Sequence, residues 1–211
     1  DLNGLVSGKF SDYTYGLSIG IKLNDEIIDK IESGPTVEYY DHYNAMNQEL
    51  SKTANAISED LQKNHIDSIP VVPTIALSLN ENKEYLETLS YDLSHKMTAT
   101  RAGLGWIGKT ALFVSKEYGP RIRLATILLR QKPEKTGIPV EKSKCGNCVV
   151  CVEQCPAKAS TGDDWFAGLS RESFFDAHKC RDMCGELALK KLKLDKRICG
   201  ICVSVCPIGK K

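Results

Sequence analysis

All nine cysteines of the chain fall in its last third, and their spacing constrains the fold more than any other feature of the sequence. The first set, Cys145-Gly-Asn-Cys148-Val-Val-Cys151-Val-Glu-Gln-Cys155-Pro156, reads C-x2-C-x2-C-x3-C-P. Two-residue spacings let one loop present three thiolates to three irons of a 4Fe–4S cube, while the fourth cysteine turns toward a second cluster. A second half must then follow. Cys199-Gly-Ile-Cys202-Val-Ser-Val-Cys206-Pro207 supplies C-x2-C-x3-C-P, with Cys180 as its early ligand. Crossing over as two-cluster ferredoxins do assigns Cys145, Cys148, Cys151 and Cys206 to one cluster, and Cys155, Cys180, Cys199 and Cys202 to the other.

The ninth cysteine, Cys184, lies four residues after Cys180, on the same face if the segment is helical, and is an alternative to Cys180 as ligand. Zinc ribbons also use C-x2-C pairs, but a tetrahedral S4 site has no need of two C-P endings, each three residues beyond a C-x2-C. Disulfides require an oxidising compartment and leave an odd cysteine over.

A chain of 211 residues with 42% hydrophobic composition can bury one good core and carry a small appended module. Its formal charge of +1 provides no global field for steering onto nucleic acid. No apolar run reaches the length of a membrane span, and the first thirty residues have neither a basic nor an apolar leader region, so a reduced, cytoplasmic setting is expected. Residue 1 is Asp rather than Met, so the numbering can begin inside a longer chain.

Leu17-Ser-Ile-Gly-Ile-Lys-Leu23 alternates as a half-buried strand does, and a short helix from Asn24 stops at Ser33-Gly34-Pro35. A long helix is expected from Thr36 to Asn64, with Val37, Tyr40, Tyr43 or Asn44, Asn47, Leu50, Ala54, Ile57 and Leu61 recurring at three and four. The cluster Tyr39-Tyr40-Asp41-His42-Tyr43 in its first turns reads either as core tyrosines with a solvated Asp and His or as a polar aromatic wall over a pocket. Ile66 to Leu79, with prolines at 70 and 73, predicts a strand and an irregular crossing, and Glu81 to Ala102 a mainly helical stretch. Ala111–Ser115 and Arg121–Leu129, joined by the turn Glu117-Tyr-Gly-Pro120, predict a hairpin with Arg121 and Arg123 on one face. Gln131 to Lys144 is linker-like, which divides the chain into a core at 1–140 and a cluster module at 141–211. The lysines of Leu187–Arg197 read as a solvated helix face or as a docking surface for an acidic redox partner or a phosphate backbone.

Between these lies Ala102-Gly-Leu-Gly-Trp-Ile-Gly-Lys-Thr110, which matches both G-x-G-x-x-G and G-x4-G-K-T. A phosphate loop must follow a strand and open a helix. Here a helical segment precedes the loop and a strand-like one follows it, so nucleotide binding is not expected. Glycines around a Trp instead indicate backbone lying close to something flat, either a ligand or another strand.

On these residues the chain resembles the corrinoid iron–sulfur reductases. Ala102–Lys109 is similar to the glycine loop of epoxyqueuosine reductases, and Glu117–Arg123 to the corresponding stretch of reductive dehalogenases; both families continue into a double 4Fe–4S motif with a lone cysteine in a segment like Phe175-Asp-Ala-His-Lys-Cys180. The resemblance implies an α+β protein: a nitroreductase-like α/β core holding base-off cobalamin beside Gly103, Leu104, Gly105, Trp106, Gly108 and Lys109, and a ferredoxin-like double-cluster module at the C-terminus. It also implies a proton donor. The Asp-x-x-Pro donor motif of epoxyqueuosine reductases falls nearest Leu89, without a proline, which leaves Asp92, Tyr91, Tyr40 or Tyr43 as candidates. The helical tRNA-binding extension is not seen in a chain that stops four residues after Pro207, which argues against tRNA as substrate and leaves a small molecule or modified nucleoside.

Two functions are therefore expected in competition. One is a reductase that takes electrons from a ferredoxin- or flavodoxin-type donor through two clusters to cobalamin and substrate. The other is a two-cluster electron carrier without corrinoid.

Overall fold

The computed structural model describes residues 1–73 and 79–210, arranged as two compact units between which the chain passes repeatedly. The first comprises Asp1–Ile21, Met46–Leu104 and Arg123–Pro139; the second comprises Lys22–Ala45, Gly105–Ile122 and Val140–Lys211. The architecture is α+β, with two small sheets.

In the first unit, strands β1 (Tyr15–Lys22), β5 (Ile122–Leu129) and β2 (Ser68–Val71) form a sheet in the order β1-β5-β2. The β2–β5 pair is antiparallel, with Ser68 opposite Leu129 and Val71 opposite Thr126. An almost unbroken apolar run makes β5 the central strand, because both of its faces are covered. Ala125, Ile127 and Leu129 meet Leu50, Ala54, Ile57 and Leu61 from one stripe of helix α2 (Val37–Lys63), while Leu128 on the other face packs with Leu2, Phe10, Val71 and Leu93.

One expectation, the hairpin, fails here, and the mainly helical stretch is divided. Arg121–Leu129 does not fold back on Ala111–Ser115: the turn after Ser115 closes through reciprocal Ser115–Gly119 backbone bonds, but the chain then leaves for the other sheet. The stretch Glu81–Ala102 is two helices, α3 (Leu79–Thr88) and α4 (His95–Arg101), separated by an extended segment that Leu89 opens at φ 48°. The expected crossing between Ile66 and Leu79 includes residues 74–78, which lie outside the described set.

In the second unit the first turns of α2 bury a different face from the one its spacing predicts. Val37 is 60% exposed and Tyr39 is buried, its ring edge-on to Tyr43 at 6.3 Å. The cause is a different neighbour: Tyr39 and Ile31 cover Gly200, where a Cβ would come within 3.0 Å of the tyrosine ring. Short helix α1 (Asp25–Asp29) is capped by the Asn24 side chain, which accepts from the Glu26 and Ile27 amides. Strands β3 (Gly105–Ile107) and β4 (Phe113–Ser115) make the hairpin of this unit, with Trp106 opposite Val114. Each cysteine motif contains a single helical turn, α5 (Val150–Glu153) with Cys151 and α7 (Ile201–Ser204) with Cys202, and these two pack together; α1 packs on α7 as well. Helix α6 (Ala177–Leu192) starts at the Asp176 cap and ends with Lys193 in the left-handed conformation, so the basic run to Arg197 outlasts the helix. No helix among the described residues is long and apolar enough to cross a membrane.

Candidate iron–sulfur site

The second unit holds all nine cysteines, none of them in a disulfide. Their mutual electrostatics sort them into groups. Burial pushes the Cys206 thiol up to about 11, with Cys151, Cys145 and Cys148 adding to the shift. Burial likewise raises Cys151, reinforced by Cys145 and Cys148, against the pull of a hydrogen bond with the Thr110 hydroxyl. Cys202 is raised by burial first, then by Cys199, Cys180, Cys151 and Cys155. Cys206 is thus felt by the other three cysteines of one expected ligand set, and Cys202 by the other three of the second set and by Cys151 as well. Cys184 joins the second group. It hydrogen-bonds with Cys180 and Cys199, which raises its own thiol and lowers that of Cys199. Iron bound at Cys151, Cys202 and Cys206, whose thiols burial raises, would displace their protons and neutralise the sulfurs.

The glycine loop lies across the unit boundary, and each glycine has a local reason. Gly103, at φ 80°, closes α4: its N–H donates to Thr100 O at 3.0 Å and the Leu104 N–H to Ala99 O at 3.1 Å, the paired bonds of a left-handed helix cap. A Cβ on Gly105 would sit 2.0 Å from Val114 O, so this glycine exists for the approach of β4. At Gly108 the nearest atoms would be Val114 Cγ2 at 2.9 Å and Cys145 Sγ at 3.6 Å. Of the two readings open from sequence, the close neighbour of Gly105 is another strand.

Trp106, 6% exposed, donates its indole N–H to Cys145 Sγ at 3.4 Å. Lys109 is also 6% exposed, and its ammonium is held by Gly162 O at 2.7 Å and Asp164 at 3.0 Å. A phosphate loop would need that ammonium free and a strand before Gly103, whereas α4 stands there. Leu104, in the first unit, lines a cavity of about 200 Å³ with Tyr15, Ser18, Thr98, Arg101 and Lys135. That is below the roughly 300–1,000 Å³ usual for organic ligands, and a corrinoid is larger still.

The proton-donor candidates are placed as follows. In the first unit, Asp92 accepts from Ser7 Oγ at 3.2 Å, and Tyr91 is 44% exposed and stacked on Tyr85 at 4.6 Å. Tyr40 is half-buried in α2 and belongs to the second unit, as does Tyr43.

Sequence reasoning passed over two residues. His95 is tied to Thr126 Oγ1 at 2.9 Å and Val72 O at 3.2 Å, and burial lowers it to about 4. Ser94 as a helix cap was the only available signal for it. Arg121, noted only as a strand arginine, is 1% exposed and bridges Asp25 at 3.1 Å, Asp29 at 2.5 Å and Ser204 O at 3.3 Å, which joins α1 to the last carbonyl of α7.

These thiols, in two groups on paired C-x2-C turns, define an iron–sulfur protein of the two-cluster class. Residues 144–209 match the 4Fe-4S double cluster binding domain. More particularly, over part of its length the chain is similar to epoxyqueuosine reductases. It is 38% identical over 112 residues to an epoxyqueuosine reductase of Lactococcus garvieae (strain Lg2), a match covering 53% of this chain and 31% of the relative. In fold it is similar to a reductive dehalogenase whose structure is described as suggesting a mechanism for B12-dependent dehalogenation, with TM-score 0.68 and 15% identity over 94% of this chain and 26% of that one. It is similar also to a selenomethionine-labelled epoxyqueuosine reductase, with TM-score 0.59 and 17% identity over 99% of this chain and 55% of that one. The matched part is thus less than two thirds of each of these relatives.

Proposed function

We propose that the chain is the redox core of an iron–sulfur reductase, taking electrons from an external ferredoxin- or flavodoxin-type donor and delivering them to an acceptor at its nitroreductase-like first unit. The grouping of the thiols within the double-cluster domain carries this reading. Cys145, Cys148, Cys151 and Cys206 would hold one cluster and Cys155, Cys180, Cys199 and Cys202 the other. When bound, the clusters supply one-electron transfer at low potential, and a cobalamin would supply the reactive cobalt. The rest falls to the chain's own residues: Arg121 fixes the end of α7 just before Cys206, and Asp92, Tyr91 or Tyr40 would deliver a proton.

Cobalamin as acceptor is supported by the fold likeness to a B12-dependent dehalogenase. The glycine loop does not fit as its cradle, because the space beside Gly105 is taken by Val114, and no step is derived through that group. The same packing favours a second reading, a two-cluster electron carrier without corrinoid.

Anaerobically reconstituted protein should hold about eight irons and eight sulfides per chain, two cubes' worth. Four irons, or zinc in their place, would remove the two-cluster reading. Cobalamin added to the loaded protein separates the two readings: base-off binding, seen as a shift of its visible spectrum, supports the reductase with the corrinoid held away from the glycine loop, and an unchanged spectrum at full iron content leaves the carrier.

A further inference from the structure

We propose that the β3–β4 hairpin is a collar on the first cluster, whose Trp106 and Thr110 set that cluster's reduction potential. The inference rests on the two-cluster reading above. The hairpin reaches the cysteine loop at two points. Trp106, in β3, donates its indole N–H to Cys145 Sγ at 3.4 Å, and Thr110, in the connecting turn, hydrogen-bonds to the sulfur of Cys151. Both donor side chains are buried.

The collar is clamped from the other side. Lys109 lies between the two donors, and its ammonium is held by Gly162 O and Asp164 while its carbonyl accepts from Ser160 Oγ. Gly108 leaves room for the hairpin itself, since a Cβ there would lie 2.9 Å from Val114 Cγ2.

The sign follows from charge. On reduction a cluster takes one electron, supplied by the external donor, and no proton; its net charge becomes one unit more negative and its sulfurs become better acceptors. N–H and O–H donors aimed at two of its four cysteine sulfurs therefore favour the reduced form and raise the potential. Neither residue need touch substrate for this to hold. The glycine loop, on this account, serves the electron source.

The test is a mediated redox titration followed by electron paramagnetic resonance on the full chain with both clusters reconstituted. Trp106→Phe removes the N–H and keeps most of the ring; Thr110→Val removes the hydroxyl and keeps the shape. Each should retain full iron and lower the midpoint of one cluster only, so that the reduced-to-oxidised ratio at fixed potential falls about tenfold, equivalent to ~59 mV for one electron. The other cluster is the internal control. Unmoved midpoints at full iron content, or equal shifts at both clusters, overturn the collar and leave the two-cluster reading standing. An unmodified chain that binds no 4Fe–4S cluster strikes the underlying reading instead. Should Trp106→Phe fail to fold, the near-isosteric Thr110→Val decides alone.

Discussion

Cys184 lies one helical turn beyond Cys180 and shares hydrogen bonds with Cys180 and Cys199, so the second thiol group has one member more than a cube needs. Cys180 follows directly on the turn capped by Asp176 and is among the groups that raise the Cys202 thiol, which favours it as the ligand. Cys184→Ser should leave about eight irons in place and Cys180→Ser about four, by iron assay; the reverse result exchanges their roles. His95 makes a different residue-scale prediction. Its folded value of about 4 lies below its ordinary 6.5, so on acidification the unfolded chain takes the proton first. Its contribution is therefore complete above about pH 6.5 and drains away toward pH 4, by ~3 kcal/mol at most. Between pH 7 and 5 the melting temperature of the native protein should fall more steeply than that of His95→Gln. Parallel curves would show that the ring protonates without cost to the fold.

At the scale of elements, Gly105 is the position on which the hairpin depends. A Cβ 2.0 Å from a backbone oxygen and 2.7 Å from the Phe113 ring cannot be accommodated by rotating one side chain, so β3 must move from β4. Gly105→Ala should cost about 1–3 kcal/mol and speed iron loss from the native protein, because Trp106 is the next residue. A variant as stable as its parent would mean that the strands separate freely. The elements were unevenly legible in sequence. The span of α2 and the segment before Gly103 carried clear helical period and caps, and the structure has helices there. The partner of β5 was not legible, since a buried central strand and a hairpin arm show the same apolar run; pairing is decided by what covers each face. The first turns of α2 misled for a related reason: their neighbours come from around Gly200, far along the chain, and no local spacing reports them.

Across the whole molecule, the sequence shows a linker near 140, and the structure does pass from one unit to the other between Pro139 and Val140. It also makes passages that composition does not announce, at 21/22, 45/46, 104/105 and 122/123. The cysteine spacing was legible because thiolate geometry around a cube is local; the support of those thiols was not, because it comes from residues 22–45 and 105–122. Lys109 holds Gly162, Trp106 meets Cys145, and Arg121 joins Asp25 and Asp29 to Ser204, all inside the second unit. A fragment of residues 140–211 keeps every cysteine but loses each of those partners, and leaves the Ser204 carbonyl and the face of Gly200 uncovered. Loaded anaerobically, that fragment should melt at a lower temperature than the full chain and release iron to a chelator several-fold faster. Equal rates would show that the cysteine motifs hold their clusters unaided and that the interleaved segments serve some other end.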